Sequence, residues 1–311
     1  MPHDRINRRD ILQASAAAGL ATVFAPCAFA AATRYDPAAK FDLTVSELEY
    51  RRNAKGRSLM ARIYQPAGPG PFPVVLDLHG GAWNAKDRNA EQPFDRAMAA
   101  AGALVVAVDL TLAPQAPYPA CVQDANYALR WLKTTAKTWN GDASRIGLFG
   151  SSSGGHVSEL LALRPDDSRY NAIPLAGSPD ASPDYVMMRS PISNTYARFQ
   201  NAEAHKVESM IKNNTTFFVP WETIHESNPQ EILDRKERVT LKPFLIMQGA
   251  LDSNMLPEYQ TKFVDTYRAA GGSCDYTIFE GCEHEWVAQP GPQTDRAHEM
   301  AKQFIARHVN I

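Results

Sequence analysis

Residues 146–155 read Ile146-Gly147-Leu148-Phe149-Gly150-Ser151-Ser152-Ser153-Gly154-Gly155. An apolar run that closes on glycine, then serines, then two more glycines is the pattern of a strand turning sharply into a helix with a serine at the turn. The turn lifts one hydroxyl clear of the sheet, and glycine is needed beside it because the backbone is strained and neighbouring chain passes close. The glycine frame selects the serine. Centring on Ser151 would require glycine where Phe149 and Ser153 stand, and centring on Ser153 would require glycine where Ser151 stands. Only Ser152 is flanked on both sides, by Gly150 and Gly154. A serine- and glycine-rich loop has the same composition, so the reading depends on partners elsewhere in the chain.

Outward from this turn the chain alternates strands and helices. Phe41–Glu49 alternates apolar and polar residues, and Leu59–Tyr64 follows as a second strand before a Pro/Gly turn. Val74–Leu78 and Ala103–Leu110 are nearly continuous apolar strands, separated by a helix over 91–101. Residues 120–135 carry a helical apolar stripe, and a further helix is expected from about Gly155 to Leu163. Tyr185–Met188, Phe244–Met247 and Asp275–Phe279 are three later strands, with helices over about 257–270 and 293–308. Buried strands between helices predict a mostly parallel sheet covered on both faces. The alternation breaks only at 192–240, a segment rich in aromatic residues, which reads as a cap inserted over the active-site edge.

A serine hydroxyl is a weak nucleophile at neutral pH and needs a base within hydrogen-bond reach. His284 lies in a loop just after the strand Asp275–Phe279, where a base can reach the turn, whereas His298 and His308 fall inside the last helix. The acid that orients such a base follows the preceding strand, and Asp252 is the first carboxylate after Phe244–Met247. Glu283 and Glu285 flank the histidine as weaker rivals. An oxyanion needs backbone donors, and His79-Gly80-Gly81-Ala82-Trp83 supplies small residues directly after a strand. The candidate donors are the amides of Gly81, Ala82 and Ser153. Trp83 either packs beneath this loop or lines an acyl pocket, and Trp286 is the second candidate wall. The aromatic residues of 192–240 fit a pocket for an apolar or aryl group and fit the cap's own core equally well.

With these residues in place the chain resembles the α/β-hydrolase esterase/lipase family, in its hormone-sensitive-lipase-like and feruloyl-esterase-like branch. The resemblance rests on His79–Trp83, Leu112–Ala120, Asp124, Arg130-Trp131-Leu132, Asp142, Arg145-Ile146, Gly150–His156, Asp252 and His284, and spans about residues 60–300. It implies a mostly parallel eight-stranded sheet and hydrolysis of small-molecule carboxylic esters through an acyl-enzyme on Ser152. The reaction it implies uses no metal and no organic cofactor. Ala82 in place of a third glycine leans toward the feruloyl-esterase and kynurenine-formamidase branches. An amidase or formamidase using the same residues is therefore the alternative. A non-catalytic binding module on this fold is disfavoured, because neither the serine nor the histidine is missing.

Composition bounds the remainder. The chain has 311 residues, 44% hydrophobic and 21% charged, with a formal net charge of −2. That suits one catalytic domain over residues 31–311 and gives no basis for a nucleic-acid partner or stable membrane insertion. Oligomeric state is not legible. Asn7-Arg8-Arg9-Asp10-Ile11-Leu12-Gln13, an alanine-rich apolar run and Ala28-Phe29-Ala30 together read as a twin-arginine export signal over residues 1–30, which predicts a periplasmic or secreted protein. Beyond that segment stand Cys121, Cys274 and Cys282. An extended stretch between the last two holds them too far apart to bridge, so free thiols are expected.

Overall fold

In the computed structural model, residues 34–310 are described apart from Ser178; the export signal expected over residues 1–30 lies outside them. The strands are β1 (Leu43–Arg52), β2 (Ser58–Pro66), β3 (Phe72–Leu78), β4 (Leu104–Val108), β5 (Gly141–Ser151), β6 (Val186–Arg189), β7 (Phe244–Gly249) and β8 (Cys274–Phe279). They form an eight-stranded sheet in the order β1-β2-β4-β3-β5-β6-β7-β8. β1 and β2 pair antiparallel, as do β2 and β4, and every later neighbour is parallel. This is the α/β-hydrolase architecture.

The central strands are buried on both sides, which is why they read as unbroken apolar runs. Their side chains still divide with a period of two. Val74, Leu76 and Leu78 of β3 enter one core layer with α2 (Ala120–Thr135), α3 (Ser153–Leu163) and α8 (Pro257–Ala269). Val75 enters the other, with α1 (Gln92–Ala100) and α9 (Pro292–Val309). Several boundaries differ from expectation by a few residues. β5 begins at Gly141 rather than Ile146, because Gly141 already stands opposite Phe72, and the register slips over residues 142–145 before Val74 meets Ile146. α3 starts at Ser153, earlier than its sequence pattern suggests.

Between β6 and β7, residues 192–240 carry α4 (Thr195–Ala204), α5 (Glu208–Phe217), α6 (Thr223–Glu226) and α7 (Pro229–Asp234). Asn194 caps α4 by accepting the Ala197 amide, and Asn228 caps α7, where Pro229 stands at the first helical position. The aromatic residues of this segment largely pack on one another: Phe199 lies edge-on to Trp221 with ring centroids 4.6 Å apart, and Tyr196 lies 4.2 Å from His225. Cys121, Cys274 and Cys282 are free, buried thiols.

Candidate active site

Because β3, β5, β6, β7 and β8 run parallel, their C-terminal ends share one edge, and the loops leaving that edge meet. Ser152 leaves β5, Asp252 leaves β7, His284 leaves β8, and His79–Trp83 leaves β3. Residues 146–155 fold as the sequence requires. Ser152 has φ 52° and ψ −115°, a left-handed position that a non-glycine residue holds only under constraint. The flanking glycines supply the constraint. A Cβ on Gly154 would overlap the carbonyl oxygen of Leu78, and one on Gly150 would meet the Gly154 carbonyl and the Ser158 hydroxyl. The β3 chain therefore lies directly against the turn.

Ser152, Asp252 and His284 come together. His284 Nε2 lies 2.8 Å from Ser152 Oγ, and His284 Nδ1 lies 2.8 Å from Asp252 Oδ2. Ser152 is 4% exposed and Asp252 is 1% exposed. Burial pushes the Asp252 carboxyl upward, but the His284 bond and charge and the Met255 amide outweigh it and hold the carboxyl below its ordinary range. Its oxygens are fully used: Oδ1 accepts the amides of Asn254 and Met255, and Oδ2 accepts Gln248 Nε2 beside the histidine. A carboxylate on Nδ1 leaves the proton there, so Nε2 faces the serine as an acceptor.

The loop after β3 follows an unusual backbone path. Gly81, Ala82 and Trp83 all have positive φ (102°, 50° and 60°). Among the described residues the amides of Gly81, Ala82 and Ser153 donate to no protein acceptor. The Trp83 amide instead donates to Ser153 Oγ at 3.2 Å, tying the loop to the first residue of α3. The Trp83 ring stacks on Phe217 at 4.6 Å and 4°, and its Nε1 donates to His156 Nδ1 at 3.2 Å. His156 Nε2 in turn donates to the Ser227 carbonyl at 2.8 Å, and burial lowers this histidine to about 4, so it stays neutral. Of the two roles open to Trp83, packing beneath the loop is the one these contacts describe. Trp286 sits in the core layer of α1 and α9, stacked on Phe279 at 4.4 Å, and lines a surface groove with Glu283, Glu285 and Pro290. Glu285 pairs with Lys86 at 3.0 Å, outside the Ser152–His284–Asp252 chain of bonds.

Sequence reasoning missed three groups around this site. Arg189, at the end of β6 and 1% exposed, donates through Nη1 to the His284 carbonyl and through Nη2 to Ser151 Oγ at 2.9 Å and Glu91 Oε1 at 3.3 Å. Ser151 itself donates to Glu91. Arg198 on α4 is the third group, held by Nε to Asn254 Oδ1 at 2.8 Å. The only signal for Arg189 was a charge directly after the apolar strand Tyr185–Met188; Glu91 and Arg198 had none. Among the described residues no cluster of His, Cys, Asp and Glu suits a metal ion, and no helix is long and apolar enough to cross a membrane.

Comparison with known proteins places the chain in a family. Residues 62–266 match the BD-FAE family model. Carboxylesterase NlhH of Mycobacterium tuberculosis is 45% identical over 92 residues, which is 29% of this chain and 29% of NlhH. Esterase LipC of the same organism is 28% identical over 239 residues, covering 74% of this chain and 57% of LipC. The chain thus spans under two thirds of either relative. Among solved structures, the propionate-bound Thermogutta terrifontis esterase Est2 superposes with a TM-score of 0.68 at 20% identity, covering 88% of this chain and 96% of that one. Esterase B of Lactobacillus Rhamnosis gives 0.71 at 18% identity, covering 88% and 89%. At these identities the two structures share the fold.

Proposed function

The chain belongs to the BD-FAE family of α/β-hydrolases, and on that basis we propose that it hydrolyses small-molecule carboxylic esters through an acyl-enzyme on Ser152. One observation carries the reading: the unbroken series Asp252–His284–Ser152 at 2.8 Å per bond, beside three amides that have no acceptor among the described residues. The names of the relatives, carboxylesterase and esterase, point the same way.

In this reading Ser152 Oγ attacks the ester carbonyl carbon while His284 Nε2 takes its proton. The carbonyl π electrons move onto oxygen, and the amides of Gly81, Ala82 and Ser153 donate to the resulting oxyanion. Asp252 stabilises the imidazolium and keeps its ring oriented. The tetrahedral species collapses, the C–O bond to the alcohol breaks, and His284 returns the proton to the departing alkoxide. Water repeats the sequence on the Ser152 acyl ester, releasing the acid and restoring the hydroxyl. Each donor is a fixed backbone group on a strained turn, so little reorganisation is needed as charge develops.

The test is turnover of p-nitrophenyl acetate together with labelling by a fluorophosphonate probe. The wild-type protein is expected to do both, and Ser152→Ala neither, while keeping its melting temperature. Full turnover by Ser152→Ala would mean that the nucleophile is elsewhere. The export pattern at residues 1–30 extends the reading to a periplasmic or secreted enzyme. Replacing Arg8 and Arg9 together with lysine is expected to retain activity in the cytoplasmic fraction.

A further inference from the structure

Arg198 is a buried cation whose Nη1 has no hydrogen-bond partner among the described residues. It is 1% exposed, lies in the second turn of α4, and presents five N–H groups. Its Nε donates to Asn254, and among the described residues its Nη1 has no partner at all. The nearby carboxylate of Asp252 cannot complete it, because all four of that group's acceptor positions are taken by His284, Gln248 and the amides of Asn254 and Met255. Burial draws the guanidinium down to about 10, with the Asp252 charge opposing the shift, so it is still protonated at neutral pH. A buried guanidinium left this short of acceptors is unfavourable unless something brings an anion to it.

Its position says what that something is. Arg198 bridges two of the loops that form the candidate site. On one side it holds Asn254, two residues from Asp252; on the other its guanidinium lies 5.8 Å from the ring of Trp83, the residue directly after Gly81 and Ala82. Ser152, which any substrate must reach, is itself only 4% exposed, so the low exposure of Arg198 does not bar it from the same site. A planar guanidinium suits a carboxylate, which offers two parallel acceptors. We infer that the ester substrate carries a free carboxylate that pairs with Arg198, making this residue a determinant of specificity; the inference rests on the Ser152 hydrolase reading. The carboxylate stands either on the acyl side, as in a monoester of a dicarboxylic acid, or on the alcohol side.

The experiment compares kcat/KM for p-nitrophenyl hemisuccinate against p-nitrophenyl butyrate, and for 4-carboxyphenyl acetate against phenyl acetate. The wild-type protein is expected to favour the carboxylated member of one pair at least tenfold, and the pair identifies the side. Arg198→Met is expected to lower that ratio at least tenfold, and Arg198→Lys to lower it less. Since the wild-type preference is read without any variant, a poorly folding Arg198→Met leaves the inference exposed to refutation. Hydrolysis of the neutral esters with probe labelling of Ser152 but no carboxylate preference overturns the Arg198 inference alone. An unchanged ratio in a folded Arg198→Met does the same. No hydrolysis of any ester and no labelling overturns the hydrolase reading and this inference with it.

Discussion

Arg189 donates a hydrogen bond to the backbone carbonyl of His284, so the residue that ends β6 holds the loop that carries the candidate base. The same guanidinium reaches Ser151 and Glu91, and lies 3.7 Å from Glu285. It therefore ties the turn bearing Ser152 to the turn bearing His284, and fixes the distance between them. A shift of about 1 Å in such an arrangement costs on the order of a hundredfold in rate. Arg189→Met is expected to lower kcat for p-nitrophenyl acetate roughly 10- to 100-fold with KM changed far less. Arg189→Lys is expected to recover part of the loss, since one ammonium can reach the carbonyl but not all three partners. A fall in melting temperature with kcat intact would mean that the clamp is structural only.

Gly154 faces an equally tight constraint from a different direction. Its missing Cβ is the space that the Leu78 carbonyl occupies, and both groups are backbone, so neither can rotate away. Gly154→Ala must push β3 and α3 apart or flatten the Ser152 turn. The expected result is near-complete loss of activity and a melting temperature lower by several degrees. By contrast Gly281→Ala, at φ 72° in open space beside the His284 loop, meets no atom within 4 Å and carries only the backbone strain of about 1 kcal/mol. Thermal melts and p-nitrophenyl acetate turnover of the two variants separate the effects.

Why Ser152 could be found in the sequence follows from the same contacts. The turn is determined locally: two glycines required by close backbone, a strand before and a helix after, all within ten residues. Asp252 and His284 were legible because parallel strands bring their C-terminal ends to one edge, so chain order alone places the loops. Arg189 and Glu91 stand 98 residues apart, and nothing local marks their meeting. Arg198 reads as an ordinary polar position on an amphipathic helix; only the packing of α4 against Trp83 and Asn254 buries it. The aromatic residues of 192–240 were ambiguous because composition does not say whether a ring packs on its own segment or on a ligand. Phe217 resolves its own case by stacking on Trp83, while Phe199 and Trp221 pack on each other.

Asp252→Asn tests the orienting role of the carboxylate. The amide keeps the shape but no longer favours a proton on Nδ1, so His284 can present N–H rather than a lone pair to Ser152. A drop in kcat on the order of ten-thousandfold is expected, with the fold retained. The stability consequence has a definite sign. The Asp252 carboxyl is held below its ordinary range, so its contribution is present above the unfolded pKa of about 3.9 and is lost as pH falls through the lower folded value. Denaturant titrations from pH 7 downward should therefore show wild type losing this increment only in acid, below about pH 4.

Asp95 has the opposite sign. It sits on α1 facing Asp77 of β3, both are fully buried, and among the described residues no oxygen of either carboxyl has a hydrogen-bond partner. Burial first, then the neighbouring charges of Asp77 and Glu91, push the Asp95 carboxyl well above its ordinary range. A carboxyl raised on folding imposes no penalty below its unfolded pKa of about 3.9, and destabilises progressively as pH rises from there toward its folded value. Asp95→Asn removes the titration while keeping the shape. The variant is expected to melt at least about 2 °C above wild type at pH 7, corresponding to roughly 1 kcal/mol for a domain of this size. The gap should close by about pH 4, where both proteins are neutral at this position. Melting curves across that range decide the matter: a gap that stays constant with pH would show that the Asp95 carboxyl is not raised on folding, and a variant less stable at pH 7 would show that the carboxylate is ionised and partnered in the folded protein.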